Sequence, residues 1–269
     1  MSSIFKTVLF TTFFSNAVIL SAQAEIHDNT STTTQLTTIQ LTTTKPIQKL
    51  KESNFHVQLD LQTKYVWRGM EMMTEESTPV LFPQLAYNYK GAYLYAMGGY
   101  SLNGKYAEVD LGVSYNWQWL TIGISDYYYP TLNGKKDHYF DFQKHSTGHW
   151  LEASLTIAPP IIPLQLTVSN FFAGADKLPN GKQAYSTYAE LGAWYNFLHH
   201  NRISLNVGAT FNKSCYNDYT HGFGICNVEA KYTYTVHFKN QWTLPLHVTY
   251  IVNPVFEKSF VNFTASIGF

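Results

Sequence analysis

The most regular alternation in the chain is Ala107-Glu108-Val109-Asp110-Leu111-Gly112-Val113-Ser114-Tyr115-Asn116-Trp117. Its odd positions are apolar or aromatic, whereas its even positions are acidic, small or polar. Because successive side chains of a β-strand point to opposite faces, this alternation predicts one strand with an apolar face and a polar face. Residues 203–212 and 261–269 repeat the pattern, with polar faces made mostly of Ser, Thr, Asn and Gly.

Outward from this strand, the same period of two predicts twelve strands. They lie near 55–67, 80–89, 92–101, 107–117, 120–129, 148–158, 164–174, 184–197, 202–213, 222–235, 241–253 and 260–269. Short turns alternate with longer loops along the chain, an arrangement typical of an all-β, antiparallel transmembrane β-barrel. Strands of about 9–11 residues are long enough to cross the hydrocarbon layer at a tilt. A soluble β-sandwich or lipocalin-like barrel is the alternative, although its outer face should be rich in Lys and Glu.

The composition favours the membrane barrel. Charged residues make up 13% of the 269 residues, against roughly 25% in an ordinary soluble domain. Lys plus Arg equals Asp plus Glu at 18 each, so a nucleic-acid partner is not expected. No apolar run is long enough for a membrane-spanning helix. Aromatic side chains expected at the membrane interface end many strands: Tyr65, Trp67, Tyr87, Tyr89, Trp117, Tyr127, Tyr128, Tyr129, Tyr195, Phe197, Tyr232 and Tyr234.

The N-terminal residues are predicted to lie outside the barrel. Residues 1–24 have the pattern of a secretory signal peptide, with Lys6, an apolar stretch and an Ala-x-Ala cleavage site, although a membrane anchor is an alternative. Residues 25–53 are Thr-rich and predict a disordered periplasmic linker, either a passive tail or a tether. Residues 54–269 form the predicted barrel, with both termini in the periplasm. The final Phe269 resembles the terminal signature that the barrel assembly machinery of bacterial outer membranes reads.

Several motifs resemble the TorF-like family of outer-membrane porins, across residues 54–269. The motifs are Tyr65-Val66-Trp67-Arg68-Gly69, residues 79–84, Glu108-Val109-Asp110-Leu111, Asp126-Tyr127-Tyr128-Tyr129-Pro130, Tyr185-Ser186-Thr187-Tyr188 and Glu190-Leu191-Gly192. The resemblance implies a barrel that forms a channel in the outer membrane, in contact with its lipid. It implies no known solute and no catalytic residues.

Charged side chains on the polar faces are expected to point into the lumen, since a Lys or Arg facing lipid at mid-depth costs about 2–4 kcal/mol. These residues are Asp60, Glu108, Asp110, Glu152, Glu190, Glu229, Lys64, Arg68 and Lys231. Arg68 is expected at the mouth, within reach of Glu108 or Asp110. The set either forms a salt-bridged network that fills the barrel or lines a pore. We predict a porin for passive or weakly cation-selective diffusion of small hydrophilic solutes, with a closed barrel acting as adhesin or scaffold as the alternative.

Two further patterns invite chemical interpretations. The segment with Asp141, His145, Ser146 and His149 could supply a hydrolase triad or metal ligands, but in a loop its spacing carries little information, so we predict no catalytic residues, no metal and no cofactor. Cys215 and Cys226 flank a loop expected outside the cell. Because that compartment is oxidising, a disulfide between them is predicted, with two unpaired thiols as the alternative.

Overall fold

The computed structural model describes residues 54–73, 78–130, 138–239 and 242–268. It confirms the predicted fold class: twelve antiparallel strands close into one barrel, and two short strands form a separate sheet. The strands are β1 (Phe55–Gln62), β2 (Val66–Trp67), β3 (Met70–Glu71), β4 (Val80–Tyr89), β5 (Ala92–Ser101), β6 (Ala107–Trp117), β7 (Leu120–Tyr128), β8 (His149–Ile157), β9 (Leu164–Gly174), β10 (Thr187–Phe197), β11 (Asn201–Thr210), β12 (Gly224–His237), β13 (Thr243–Asn253) and β14 (Lys258–Gly268).

The barrel closes because β1 pairs on both sides. It meets β14 from Gln58↔Gly268 to Gln62↔Thr264 and meets β4 along its whole length, while every other wall strand pairs with its sequence neighbours. A closed barrel satisfies the backbone hydrogen bonds of all its strands, which is the condition for crossing lipid with β-structure. No helix among the described residues is long and apolar enough to span a membrane.

The polarity of the two faces of the barrel wall is the reverse of that in a soluble β-barrel: the apolar face is outside and the polar face is inside. On β6, Val109 and Val113 point outward and are 40% and 47% exposed, whereas Glu108 and Asp110 point inward and are buried. The other strands follow the same rule, with exposed Leu, Val and Ile along their outer faces. The outer surface is therefore suited to lipid, and the soluble alternative is excluded because its apolar face would point inward.

The main departure from the predicted strands concerns the first one. It ends at Gln62 instead of residue 67, and the chain then turns inward to form the β2–β3 hairpin. Tyr65 and Trp67, which were expected at the membrane interface, are consequently buried in a cluster inside the barrel, where they join Tyr127 from the inward face of β7. Tyr89, Trp117 and Tyr195 are exposed at the short-turn end, as an interfacial belt requires.

Two wall strands carry one extra residue each. Cys226 on β12 is skipped between the pairs Ala209↔Ile225 and Gly208↔Asn227, and Phe172 on β9 is skipped between Leu151↔Ala173 and Glu152↔Phe171. Such β-bulges bend a strand and redirect its side chains. Both lie toward the long-loop end, where the internal hairpin also lies.

The signal peptide at 1–24, the linker at 25–53 and the terminal Phe269 lie outside the described residues, so these assignments stay predictions.

Candidate functional site in the lumen

The site is built around the β2–β3 hairpin, which folds into the lumen from the first long connection. Val66 pairs with Glu71 and Trp67 with Met70, while Arg68 and Gly69 make the turn with φ of 49° and 79°. The tip lies against the wall: Asn253 Nδ2 donates to the Gly69 carbonyl at 3.0 Å. A Cβ on Gly69 would lie 1.9 Å from the backbone oxygen of Cys226, so only glycine allows this approach.

Arg68 fastens the hairpin to the opposite part of the wall. Its Nη2 donates to Glu152 Oε1 at 2.7 Å and its Nη1 to Glu152 Oε2 at 3.0 Å, a bidentate ion pair in which both residues are buried. The guanidinium also donates to Ser169 and to the hydroxyl of Tyr216. It stacks on Trp67 and Tyr188, with 4.4 Å and 4.7 Å to the ring centroids. Removing one partner of such a pair typically costs about 3–5 kcal/mol, because the other charge stays buried.

An aromatic cluster surrounds the hairpin and fills the lumen at this level. Trp67 packs against Tyr127, Phe171 and Tyr216, at centroid distances of 5.8, 6.3 and 5.9 Å. Because strands on different sides of the barrel supply members, the cluster bridges the lumen. Its buried residues are Tyr65, Trp67, Met73, Val80, Phe82, Tyr106, Tyr127, Phe171, Tyr188, Tyr216 and Cys226.

The other end of the lumen is polar. Toward the short turns, the inward side chains His56, Gln84 and Thr233 are half-buried, whereas Thr121 and Thr156 are buried. The lumen thus has a polar half on the short-turn side and an aromatic closure near the long loops.

All six predicted acids are buried or half-buried on inward faces, but they differ in their partners. Glu152 pairs with Arg68, and Glu229 pairs with Lys231 at 3.1 Å. Glu190 accepts from Asn227, and Asp60 accepts from Gln58. Neither of these two acids forms an ion pair with another described residue. That the inward acids line a pore remains a prediction.

Glu108 and Asp110 form an acidic pair beneath the hairpin on the inward face of β6. Glu108 accepts hydrogen bonds from the hydroxyls of Tyr106 at 2.8 Å and Tyr65 at 3.3 Å. Asp110 is buried, and no donor group among the described residues hydrogen-bonds its carboxylate oxygens. Two buried carboxyl groups that lie side by side without a cation share a proton more readily than both ionise.

The expectation that Arg68 pairs with Glu108 or Asp110 at the mouth is wrong, because the hairpin carries Arg68 inside the barrel to Glu152. Lys64 also leaves the wall and pairs with Glu71 of the same hairpin. Three further residues of the site were not predicted from the sequence: Glu71, Tyr216 and Arg202. Arg202 points inward and stacks on Trp194, with 4.9 Å to the ring centroid. Parity with Ser204 on β11 could have identified Arg202. Nothing local to Tyr216 could have shown that its loop enters the lumen.

The predicted disulfide is absent from the structure, where Cys215 and Cys226 are free thiols. Cys215 and Cys226 hydrogen-bond to different parts of the barrel. Cys215 begins a single 3₁₀ turn (Cys215–Asn217), and its backbone N–H donates to Ser186 Oγ. Cys226 is the buried bulge residue of β12, with its Sγ 3.8 Å from the Gly208 carbonyl oxygen.

The loop that suggested a hydrolase or a metal site takes a different arrangement. Ser146 hydrogen-bonds to Asp141, and this bond lowers the pKa of Asp141. His149 pairs with Asp126, at 2.8 Å from Nδ1 to Oδ2. Among the described residues, no group of three or more His, Cys, Asp and Glu side chains is arranged to hold a metal ion.

The geometry defines the class of protein: a twelve-stranded transmembrane β-barrel with an internal hairpin. No family model and no curated protein matches the chain, so the resemblance to TorF-like porins stays a prediction. Similar solved structures include the KdgM porin in complex with disordered oligogalacturonate, at 9% identity and TM-score 0.45, covering 80% of this chain and 97% of that one. The COG4313 outer membrane channel from Pseudomonas putida F1 has 11% identity and TM-score 0.41, covering 84% and 100%.

Proposed function

We propose that this protein is an outer-membrane channel for small hydrophilic solutes, closed in the conformation described here by the β2–β3 hairpin. The observation that carries the proposal is the seating of Arg68 inside the barrel on Glu152. A polar half of the lumen that ends at a hairpin held chiefly by the Arg68–Glu152 pair, with a longer Lys258–Glu71 contact of 3.9 Å, is an arrangement suited to a gate.

The proposal includes the outer-membrane location, with the long loops outside the cell. The supporting observations are the closed barrel, the apolar outer face and the unequal connection lengths at the two ends. An adhesin or scaffold remains the second candidate, and the aromatic closure favours it.

We further propose that the open channel prefers cations. Six inward acids belong to wall strands, whereas the inward Lys and Arg residues described on the wall are Arg202, Lys231 and Lys258. Lys64 and Arg68 travel with the hairpin. Its release would therefore leave the wall with an excess of negative charge, which favours cations in a pore.

The test is the reversal potential of a planar bilayer that contains many copies of the refolded protein, under a KCl gradient. We expect a potential of the sign that cation preference gives, and a smaller one for the Glu190→Gln/Glu229→Gln variant. Glu257→Gln, in the exposed loop after β13, is the matched control and should match the wild type. Anion preference, or a potential insensitive to the lumen acids, would contradict the proposal.

A further inference from the structure

A basic cleft of about 880 Å³ opens on the outside of the wall, between the loop that precedes β8 and the loop that follows β9. Three lysines line it, Lys144, Lys177 and Lys182, and no acid is among its described lining residues. Its floor is apolar, with Leu151 and Phe172 from the outer face of the wall. The cleft therefore combines positive charge with a surface continuous with the lipid-facing band.

A buried histidine fixes the loop before β8, which forms one side of the cleft, to the barrel. His149 lies on the outward face of β8, stacked on Phe142 at 4.3 Å and packed against Tyr128 at 4.7 Å between ring centroids. Its Nδ1 faces the Asp126 carboxylate, and its Nε2 faces the carbonyl of Tyr139. The loop is thereby held against the outer wall, with Phe142 partly exposed beside the lysines.

The loop after β9, which forms the other side of the cleft, is held by hydrogen bonds of its own. Gly174 ends β9 with φ of 97°, and the next residue, Ala175, donates to the His149 carbonyl at 2.7 Å. Lys177 Nζ then donates to Gln183 Oε1 at 2.6 Å across the loop. Both loops therefore contact His149. Because His149 belongs to β8, the barrel fixes the positions of the two loops that carry the lysines.

We propose that this cleft binds a lipid with an anionic phosphate headgroup, one that carries net negative charge, from the membrane leaflet at the long-loop end. The phosphate would meet the three lysines, since Lys binds phosphate as a point charge. The acyl chains would lie along Leu151, Phe172 and the exposed apolar wall. A soluble anion would use the lysines alone, and a lipid without net charge would leave their positive charge without a counter-charge. The proposal depends on the barrel lying in a membrane, but not on whether it conducts.

The test is native mass spectrometry of the refolded full chain, titrated with phosphatidate and, separately, with phosphatidylcholine of the same acyl chains. We expect phosphatidate to bind more tightly, and the Lys144→Gln/Lys177→Gln/Lys182→Gln variant to lose at least about tenfold in that affinity, which corresponds to about 1.4 kcal/mol. The control variant Lys90→Gln/Lys213→Gln/Lys239→Gln removes equal charge outside the cleft and should bind as the wild type. Equal affinity in both variants would overturn the proposal.

A second pair of measurements separates a lipid from free phosphate. Leu151→Ala/Phe172→Ala should weaken phosphatidate binding while the binding of inorganic phosphate stays unchanged. If this variant binds phosphatidate like the wild type, and inorganic phosphate displaces the lipid at equal concentration, the cleft is an anion site and the lipid assignment is wrong. A heat-modifiability gel on every variant verifies that the barrel is folded, so a loss of binding cannot be read from an unfolded sample.

Discussion

At the scale of single residues, two neighbours decide whether the hairpin can enter the lumen. Arg68 supplies the bonds to Glu152, and Gly69 supplies the close approach to the backbone at Cys226. The close approach of Gly69 is possible because glycine has no side chain. The ion pair is favoured because a buried Glu152 without Arg68 would carry an unpaired charge. Both therefore act on the same equilibrium between seated and released hairpin.

Gly69→Ala should release the hairpin. The new Cβ meets the Cys226 carbonyl, and φ of 79° is itself unfavourable for alanine, so we expect a cost of at least about 2 kcal/mol. Such a cost raises the population of released hairpin roughly 30-fold, which macroscopic bilayer conductance would detect. Gly181→Ala is the matched control, because its φ of 80° is similar and nothing lies within 4 Å of the added Cβ. Equal conductance in the two variants would contradict the prediction.

Gly112→Ala should destabilise the wall itself. Tyr95 lies across Gly112 with its ring 2.1 Å from the position of an added Cβ, and its hydroxyl reaches Ser125 on β7 at 2.9 Å. We expect a loss of about 1–3 kcal/mol from overpacking, measured as the midpoint of guanidinium unfolding in detergent. Gly222→Ala places its Cβ in open space and should be neutral. A midpoint that is the same for both would mean that Tyr95 moves aside freely.

The sequence predicts which residues point inward, but it does not predict which side chains they contact. Parity on β1, β6 and β8 is enough to place Asp60, Glu108 and Glu152 on the lumen side. The partner of Glu152 depends on the path of a loop whose residues are 84 positions away in the chain. Alternation is a local property, so it contains no information about that path.

At the scale of elements, the wall strands were predictable because lipid imposes a single rule on all of them. A strand of the barrel must alternate throughout its length, and its ends coincide with turn residues. The first strand was extended too far because Thr63, Lys64 and Tyr65 continue the alternation after the chain has left the wall. The bulges at Phe172 and Cys226 shift the inward–outward alternation of their strands by one residue. The residue types at those positions do not predict a bulge.

The alternation makes opposite predictions for adjacent residues on β11. Leu205 faces outward at mid-strand, so Leu205→Lys should cost about 2–4 kcal/mol of unfolding free energy in a bilayer. Asn206 faces inward and donates to Glu229, so Asn206→Lys places the same charge beside an acid and should cost far less. Reversible unfolding in lipid vesicles measures both values. The outward assignment fails if Asn206→Lys proves the more costly change.

At the scale of the whole molecule, the chain divides its charges between wall and hairpin. The wall strands hold six inward acids against Arg202, Lys231 and Lys258, whereas the hairpin segment carries Lys64, Arg68 and the acid Glu71. Acids outnumber bases in the closed lumen, and because the hairpin carries two bases and one acid, its release makes that excess larger. Opening and cation preference are therefore two aspects of the same arrangement.

The most direct test of this account is single-channel conductance of Arg68→Ala in a planar bilayer. We predict long-lived, cation-preferring openings for this variant, and rare openings for the wild type. Arg202→Ala is the control, because Arg202 is also an inward arginine stacked on an aromatic ring but does not hold the hairpin. If Arg68→Ala is folded and as silent as the wild type, the hairpin is not a gate and the barrel is permanently closed.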